Sequence, residues 1–363
     1  MNPFIPDPLP LNNLDWSQFL ALIGRSNGAV ARYDGLLQSL PNAALLLSPL
    51  TTQEAVLSSR IEGTQATLED VLKYEAQPET AVERIEDIQE VINYRKALRS
   101  AVNELSRRPL SLNLLRRTHG ILLSNVRGKN RAIGEFRKVQ NWIGPPGCTM
   151  ERARYVPPAP DKLMDALDNF EKYIHYDEKD RLVQLAIIHA QFEIIHPFLD
   201  GNGRIGRIII PLFLYEKEIL SSPMFYVSAY FEKYREEYYD RLDGITKSGE
   251  WEEWILFFLK AVEQQAQENS AKAKKILDLY NEMKERIAEI ARSQFAIQAL
   301  DCLFDLPIFR SSAFQQKSRI PKPSAHRILS QLKDGKIISL LEEAKGRRAA
   351  VFVFDRLLEI VEQ

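Results

Sequence analysis

The segment RLVQLAIIHAQFEII, residues 181–195, is apolar on nearly every face when wound as a helix. A helix of that kind must be enclosed by protein on all sides. Pro197 ends it, because the residue before a proline is pushed out of the α region. The next twelve residues, HPFLDGNGRIGR at 196–207, have the opposite character, with an imidazole, a carboxylate, three glycines and two arginines. A second apolar helix, IGRIIIPLFLYEK, follows at once, and Pro211 is expected to bend it. A polar loop is thus expected between two helices of a mainly α fold.

The residue types in that loop suit a particular chemistry. Gly201, Gly203 and Gly206 permit close backbone approach and positive φ. The first-turn amides and the dipole of the next helix then face an anion. Arg204 and Arg207 are three apart, so both can lean over the loop and neutralise phosphate oxygens. Asp200 supplies a hard oxygen ligand of the kind Mg²⁺ takes alongside phosphates. His196 ends the preceding helix with a ring that titrates near neutrality and suits general-base work. Phe198 is expected to bury inward and fix the loop. A glycine-rich turn or one histidine is ordinary by itself; the spacing H-x-F-x-D-G-N-G-R-x-x-R is not.

The rest of the chain reads mostly as helix. Thr51 and Glu54 form a capping-box pattern that opens TTQEAVLSSRIEG, and Gly63 gives a stop signal. Further helices are expected from Thr67, after Pro78 (with Ile85, Ile88, Ile92 and Leu98 at helical spacing) and after a Ser111 cap. Between about 132 and 159 the periodicity fades, and EFRKVQNWIG, PPGC and ARYVPPAP read as a β-hairpin with a Pro/Gly-rich tip. A charged linking helix is expected over 264–292.

Composition narrows the setting. With 363 residues, 45% hydrophobic and 27% charged, the chain is globular and long enough for two or three domains. A net charge of -1 predicts no wholesale attraction to nucleic acid or anionic membrane. Cys148 and Cys302 form no CxxC pair, the start has no signal-peptide pattern, and no apolar run approaches the roughly 18 residues of a membrane span. A cytoplasmic protein with no membrane partner is expected.

HPFLDGNGRIGR resembles the signature of the Fic family, whose members transfer AMP from ATP to protein hydroxyls, and every signature position is present. The resemblance covers about Arg108 to Leu259, and it implies a Fic helical core at 108–263 after an N-terminal helical region at 1–107. By that likeness His196 deprotonates a Ser, Thr or Tyr hydroxyl and Asp200 binds Mg²⁺. Asn202, Gly203 and Arg204 hold the α-phosphate, and Arg204 and Arg207 hold the outer ones. Gly201, Ile205 and Gly206 complete the nucleotide cradle. Doc-like kinase relatives carry lysine where this chain has Gly203, so AMP transfer is the implied direction. SAYFEKYREEYYDRL has family-like aromatic spacing, which makes Tyr239 a candidate for the adenine or ribose contact. The asparagine that the family carries further on is replaced here by Thr246 or a neighbour. The hairpin resembles the flap against which Fic enzymes hold a target chain by strand addition.

SSRIEG raises a second resemblance. Ser58-x-x-x-Glu62-Gly63 is similar to the inhibitory motif of Fic proteins whose brake lies N-terminal to the signature. It implies that Glu62 pairs with Arg207 and blocks productive γ-phosphate placement. The same glutamate could orient a water that removes AMP from a modified target. The target could be another protein or the chain itself, and a homodimer is among the assemblies allowed.

The last 70 or so residues, 293–363, differ in character. From Arg310 to Arg348 there are ten basic and three acidic residues, in the order helix, turn, helix, strand, basic turn, strand. That order resembles a winged helix-turn-helix. Its recognition helix would carry Lys322, Ser324, His326 and Arg327, and its wing Lys345, Arg347 and Arg348, all candidates for DNA contact. A solvated basic face or a protein-docking module are the alternatives, and a DNA-binding regulator that only senses ATP is the rival to an enzyme. His189, Glu193 and His196 also fall on one helical face, a spacing that could bind a transition metal.

Overall fold

A computed structural model describes residues 2–79, 84–124, 132–145, 147–344 and 349–363. The helices are α1 (Leu20–Ser39), α2 (Ala43–Leu46), α3 (Ser48–Ile61), α4 (Leu68–Ala76), α5 (Ile85–Leu105), α6 (Leu112–Leu122), α7 (Leu163–Ile174) and α8 (Arg181–Ile195). They continue with α9 (Asn202–Glu216), α10 (Ser228–Lys233), α11 (Arg235–Ser248), α12 (Trp251–Ala291), α13 (Ala296–Asp305), α14 (Ser311–Ser318), α15 (Lys322–Asp334) and α16 (Asp355–Glu362). The strands are β1 (Ile308–Arg310), β2 (Ser339–Glu342) and β3 (Val351–Val353). The fold is mainly α, as expected. Among the described residues no helix is long and apolar enough to cross a membrane.

By its internal packing the chain divides into two units. One comprises Met1–Asp34, Leu57–Thr64 and Asn93–Gln267; the other comprises Gly35–Val56, Gln65–Ile92 and Glu268–Gln363. The stretch 1–107, read from sequence as one region, is therefore shared between them. No separate linking helix begins at 264: α12 is continuous over 41 residues, and its sequence contains no Gly or Pro that would stop it.

In the first unit, α8 is the axis. Asp180 caps it by accepting hydrogen bonds from the amides of Leu182 and Val183, both at 2.9 Å. From Leu182 to Phe192 every residue of α8 is buried, as the apolar pattern demands. The helix packs against α7 and α9, and the indole of Trp254 donates to the carbonyl of Ala186 at 2.8 Å. Pro211 lies inside α9, four residues past Arg207, so one rung of the helix ladder is missing there.

In the second unit, α13, α14 and α15 pack in succession, and the strands form an antiparallel sheet in the order β1-β3-β2. Phe309 pairs with Phe352 across β1 and β3, and the β2–β3 register is irregular between Leu340 and Glu342.

The structure refines the local reading at three points. Helix α3 starts at Ser48, so Thr51 lies inside it, and its hydroxyl donates back to the carbonyl of Leu47 rather than capping a terminus. Pro49 is tolerated there because first-turn amides have no helical partner. Ile85 heads α5 but is exposed, unlike Ile88, Ile92 and Leu98. Among the described residues the hairpin is drawn together at one antiparallel bridge, Ile143 with Tyr155, since Pro145 and the prolines of ARYVPPAP have no N–H with which to extend a ladder.

Candidate active site

The loop from 196 to 201 leaves α8 through an unusual turn. His196 caps α8 in the left-handed region, φ 47°, a conformation disfavoured for a residue with a Cβ. Buried Arg137 stabilises it. Its Nε donates to the carbonyl of His196 at 3.0 Å, its Nη2 donates to the carbonyl of Pro158 at 2.6 Å, and its own amide donates to Pro197 at 2.9 Å. The side-chain amide of Asn141 donates to Phe198 at 3.1 Å.

Phe198 is wholly buried, as expected. The ring of His119 is stacked on it, centroids 3.8 Å apart and planes 5° apart. The Gly134 amide donates to His119 Nδ1 at 2.9 Å, so that nitrogen is bare, and Nε2–H donates to the carbonyl of Asp200 at 3.0 Å. Burial pulls the His119 pKa down to about 4, and the ring is neutral. Asn202 closes the loop from the other side. Its Oδ1 accepts from the Phe198 amide and its Nδ2 donates to the Phe198 carbonyl, both at 2.8 Å. The side chain of Asn202 therefore braces the loop, and its backbone is what remains for an anion.

Helix α9 begins after Gly201, φ 75°, with no side-chain cap. Its first-turn amides lack helical partners by construction. Positive φ applies to Gly201 alone; Gly203 and Gly206 are helical, and both were expected to share it. Their lack of a side chain serves close approach instead. A Cβ on Gly203 would collide with Glu62 Oε1, and one on Gly206 would collide with Glu193 Oε1. Arg204 is buried and leans toward Asp200, Nη2 to Oδ1 3.6 Å, while the same carboxylate accepts from the Gly201 amide at 2.7 Å. Ile205 is buried behind the loop.

Arg207 is 1% exposed and is held by α3 and its end. Its Nε donates to Ser58 Oγ at 2.8 Å, and its Nη2 donates to the Ser58 carbonyl at 2.9 Å and to Glu62 Oε1 at 2.6 Å. Burial disfavours the charge on Glu62, but Arg207, with Arg204 and His196, holds its pKa below the usual 4.5. Burial likewise opposes charge on Arg207, and Glu62 reverses that, so its pKa is raised.

The Nδ1 of His196 lies 3.3 Å from the carbonyl of Glu193. A carbonyl only accepts, so Nδ1 carries the proton and the lone pair is on Nε2. Burial lowers the His196 pKa to about 4, which keeps the ring in the proton-accepting form at neutral pH. A cavity of about 130 Å³ is bordered by His196, Gly203, Arg207, Tyr239 and Thr246, with Glu62 as one wall. That is less than the 300–1,000 Å³ of most ligand pockets.

The metal alternative on α8 does not hold. Both ring nitrogens of His189 are engaged, Nδ1 with the Gly206 carbonyl at 3.1 Å and Nε2 with the Tyr238 hydroxyl at 3.0 Å. No group of three or more His, Cys, Asp or Glu side chains is placed to hold a metal among the described residues. Glu193 has its Oε1 buried without a hydrogen-bond partner, and burial raises its pKa to about 8. It is uncharged at neutral pH, so Glu62 is the carboxylate that neutralises Arg207.

Sequence reasoning missed His119, Arg137 and Glu193. The first two lie about 60 to 80 residues before the loop they brace, with no local motif to mark them. Glu193 stood out only as a metal ligand. In the second unit, Lys322, His326 and Arg327 are exposed on α15 and Ser324 is half-buried. Lys345, Arg347 and Arg348 lie outside the described residues.

Two family models match the chain, Fic/DOC family N-terminal over residues 20–103 and Fic/DOC family over residues 109–214. A probable protein adenylyltransferase of Aquifex aeolicus is 36% identical over 19% of this chain and 22% of its own length. The protein adenylyltransferase Fic of Drosophila grimshawi is 32% identical over 21% of this chain and 15% of its own. The matches thus span about a fifth of these relatives or less. A crystal structure of a Fic family protein from Desulfovibrio desulfuricans has the same fold at a TM-score of 0.61 and 19% identity, covering 96% of this chain and 98% of that one. Fic-1 of C. elegans, residues 134–508, is similar at a TM-score of 0.53 and 19% identity, covering 71% of this chain and 74% of that one.

Proposed function

The chain belongs to the Fic family, and from that premise we propose that it transfers AMP from ATP to a hydroxyl of a target protein, restrained by its own Glu62. One observation carries the proposal. His196, Gly203 at the start of α9 and Arg207 border a single cavity, and Glu62 holds the arginine.

The steps follow from what each residue offers. The backbone amides of Asn202 and Gly203 at the start of α9, with Arg204, hold the α-phosphate, so attack is a matter of positioning and charge neutralisation. The target's hydroxyl oxygen bonds to the α-phosphorus, the bond to the bridging oxygen breaks, pyrophosphate leaves, and the proton passes to Nε2 of His196. Asp200 has a partly exposed carboxylate beside the anion site, which fits Mg²⁺ held by one carboxylate and phosphates. Bound there, Mg²⁺ supplies neutralisation of phosphate charge. Tyr239 and Thr246 line the cavity, which suits them to face base and ribose. Val139, Trp142 and Ile143 are exposed on the bridged segment, which suits it to receive an extended target chain. With 13 tyrosines, the chain itself is one candidate target.

The test uses Glu62→Gly incubated with Mg²⁺ and ATP labelled on the α- or the γ-phosphate. The proposal expects covalent label from the α-phosphate only, abolished by adding His196→Ala. Label from the γ-phosphate, or none with either ATP, contradicts it. Wild-type chain that strips AMP from a target modified by Glu62→Gly would assign Glu62 to the reverse direction.

For residues 293–363 we propose a winged helix-turn-helix that contacts DNA. The order of α14, α15, β2 and β3 favours it, with Lys322, His326 and Arg327 exposed near the start of α15. Retention on DNA that falls steeply with added salt is expected; no retention at low salt counts against it.

A further inference from the structure

The last four carbonyls of a helix have no helical partner, and in a packed site each must find another. At the end of α3 these are the carbonyls of Ser58, Ser59, Arg60 and Ile61, in the turn that delivers Glu62. The chain's own backbone satisfies two: Ser59 accepts from the amides of Glu62 and Thr64 at 3.0 and 3.2 Å, and Arg60 accepts from Gly63 at 2.9 Å. The Ser58 carbonyl accepts from Arg207 at 2.9 Å. The Ile61 carbonyl accepts from Arg235 Nη2 at 2.6 Å. Two guanidinium groups thus grip the turn, Arg207 from α9 and Arg235 from the first residue of α11.

Arg207 belongs to the nucleotide site and must release Glu62 for a γ-phosphate. Arg235 has no such duty. It holds the peptide immediately before Glu62, at the negative end of the α3 dipole, where a cation is favoured. Its guanidinium carbon is also 6.0 Å from the centre of the Tyr239 ring, which lines the same cavity. We propose that Arg235 is a positioning residue of the brake: its bond to the Ile61 carbonyl keeps Glu62 on Arg207. Arg235→Ala then frees the turn without touching Glu62, Ser58 or the anion site.

The kinetic arm of the test rests on the AMP-transfer reading; the exchange arm does not. At saturating ATP, Arg235→Ala raises AMP incorporation about two- to fivefold over wild type, the scale of one cation at a helix C-terminus. Arg235→Lys, which keeps the charge but not the planar fork, falls between. In the Glu62→Gly background the same change leaves kcat unaltered, because no brake remains to position. A merely structural defect would lower incorporation in both backgrounds. Hydrogen exchange at the amides of Glu62, Gly63 and Thr64 needs no catalysis, and it accelerates in Arg235→Ala. Failure of Glu62→Gly to transfer AMP sinks the AMP-transfer reading, and exchange then decides this inference alone. Unchanged exchange at those amides overturns it, as does unchanged or reduced incorporation in Arg235→Ala while Glu62→Gly is active.

Discussion

Gly203 has no side chain where the carboxylate of Glu62 lies: a Cβ built on it would collide with Glu62 Oε1 and stand 3.0 Å from Arg207 Nη1. Glu62 and the glycine loop are therefore fitted to one another, and a change at one has a consequence at the other. Gly203→Ala should cost about 1–3 kcal/mol as overpacking. Most of that cost should vanish in the Glu62→Gly background, where the clash is gone. Urea denaturation of the four chains measures it, and equal costs in both backgrounds would contradict the fit.

Two buried histidines, His119 and His189, and the half-buried His196 make the fold sensitive to acid. The pKa values of His119 and His196 are lowered to about 4 and that of His189 to about 3, each chiefly by burial. Below the unfolded value of 6.5 the unfolded chain binds more protons than the native one, so stability falls as pH falls through that value. The slope is about 1.4 kcal/mol per pH unit for each histidine until its folded pKa is reached. Melting temperatures recorded from pH 7.5 to 4.5 should drop from about pH 6.5 downward. A flat profile down to pH 5 is the contrary result.

On the proposed mechanism the same lowering sets the acid limb of catalysis. In Glu62→Gly, kcat/KM should hold level from neutrality down past pH 6 and fall only near His196's value of about 4. A limb at about 6.5, the ordinary imidazole value, would mean that the site does not hold His196 in its proton-accepting form.

His119→Phe separates packing from hydrogen bonding beneath the loop. The aromatic stack on Phe198 survives, but the Gly134 amide and the Asp200 carbonyl lose their partner. The expected cost is about 1–3 kcal/mol for each buried group left unsatisfied, with a lower kcat in the Glu62→Gly background because Asp200 is no longer held. Thermal denaturation and steady-state rates check both.

What the sequence disclosed and what it hid divide by distance along the chain. His196 to Arg207 form one contiguous stretch whose residue types carry their own chemistry, so the loop, the buried Phe198 and the helix ending at Pro197 were legible. Ser58 and Glu62 were legible as a six-residue pattern. His119, Arg137 and Arg235 act through carbonyls and rings of residues far away in sequence, and only the fold brings them together. Local pattern also misled at specific points. Thr51 and Glu54 look like a cap, yet a helix already running from Ser48 passes through them. The change in charge density near 264 suggests a new element, yet without Gly or Pro the helix from Trp251 continues. Gly203 and Gly206 look like turn residues but serve to admit the carboxylates of Glu62 and Glu193.

The central claim is that Glu62, by holding Arg207, restrains the transfer of AMP. The most direct measurement is the ratio of initial rates of α-phosphate incorporation, Glu62→Gly over wild type, at equal ATP and Mg²⁺ and with matched melting curves. Loss of a charge-assisted contact of this kind predicts a ratio of about ten or more, equivalent to about 1.4 kcal/mol or more. A ratio at or below one, with the fold intact, would contradict it.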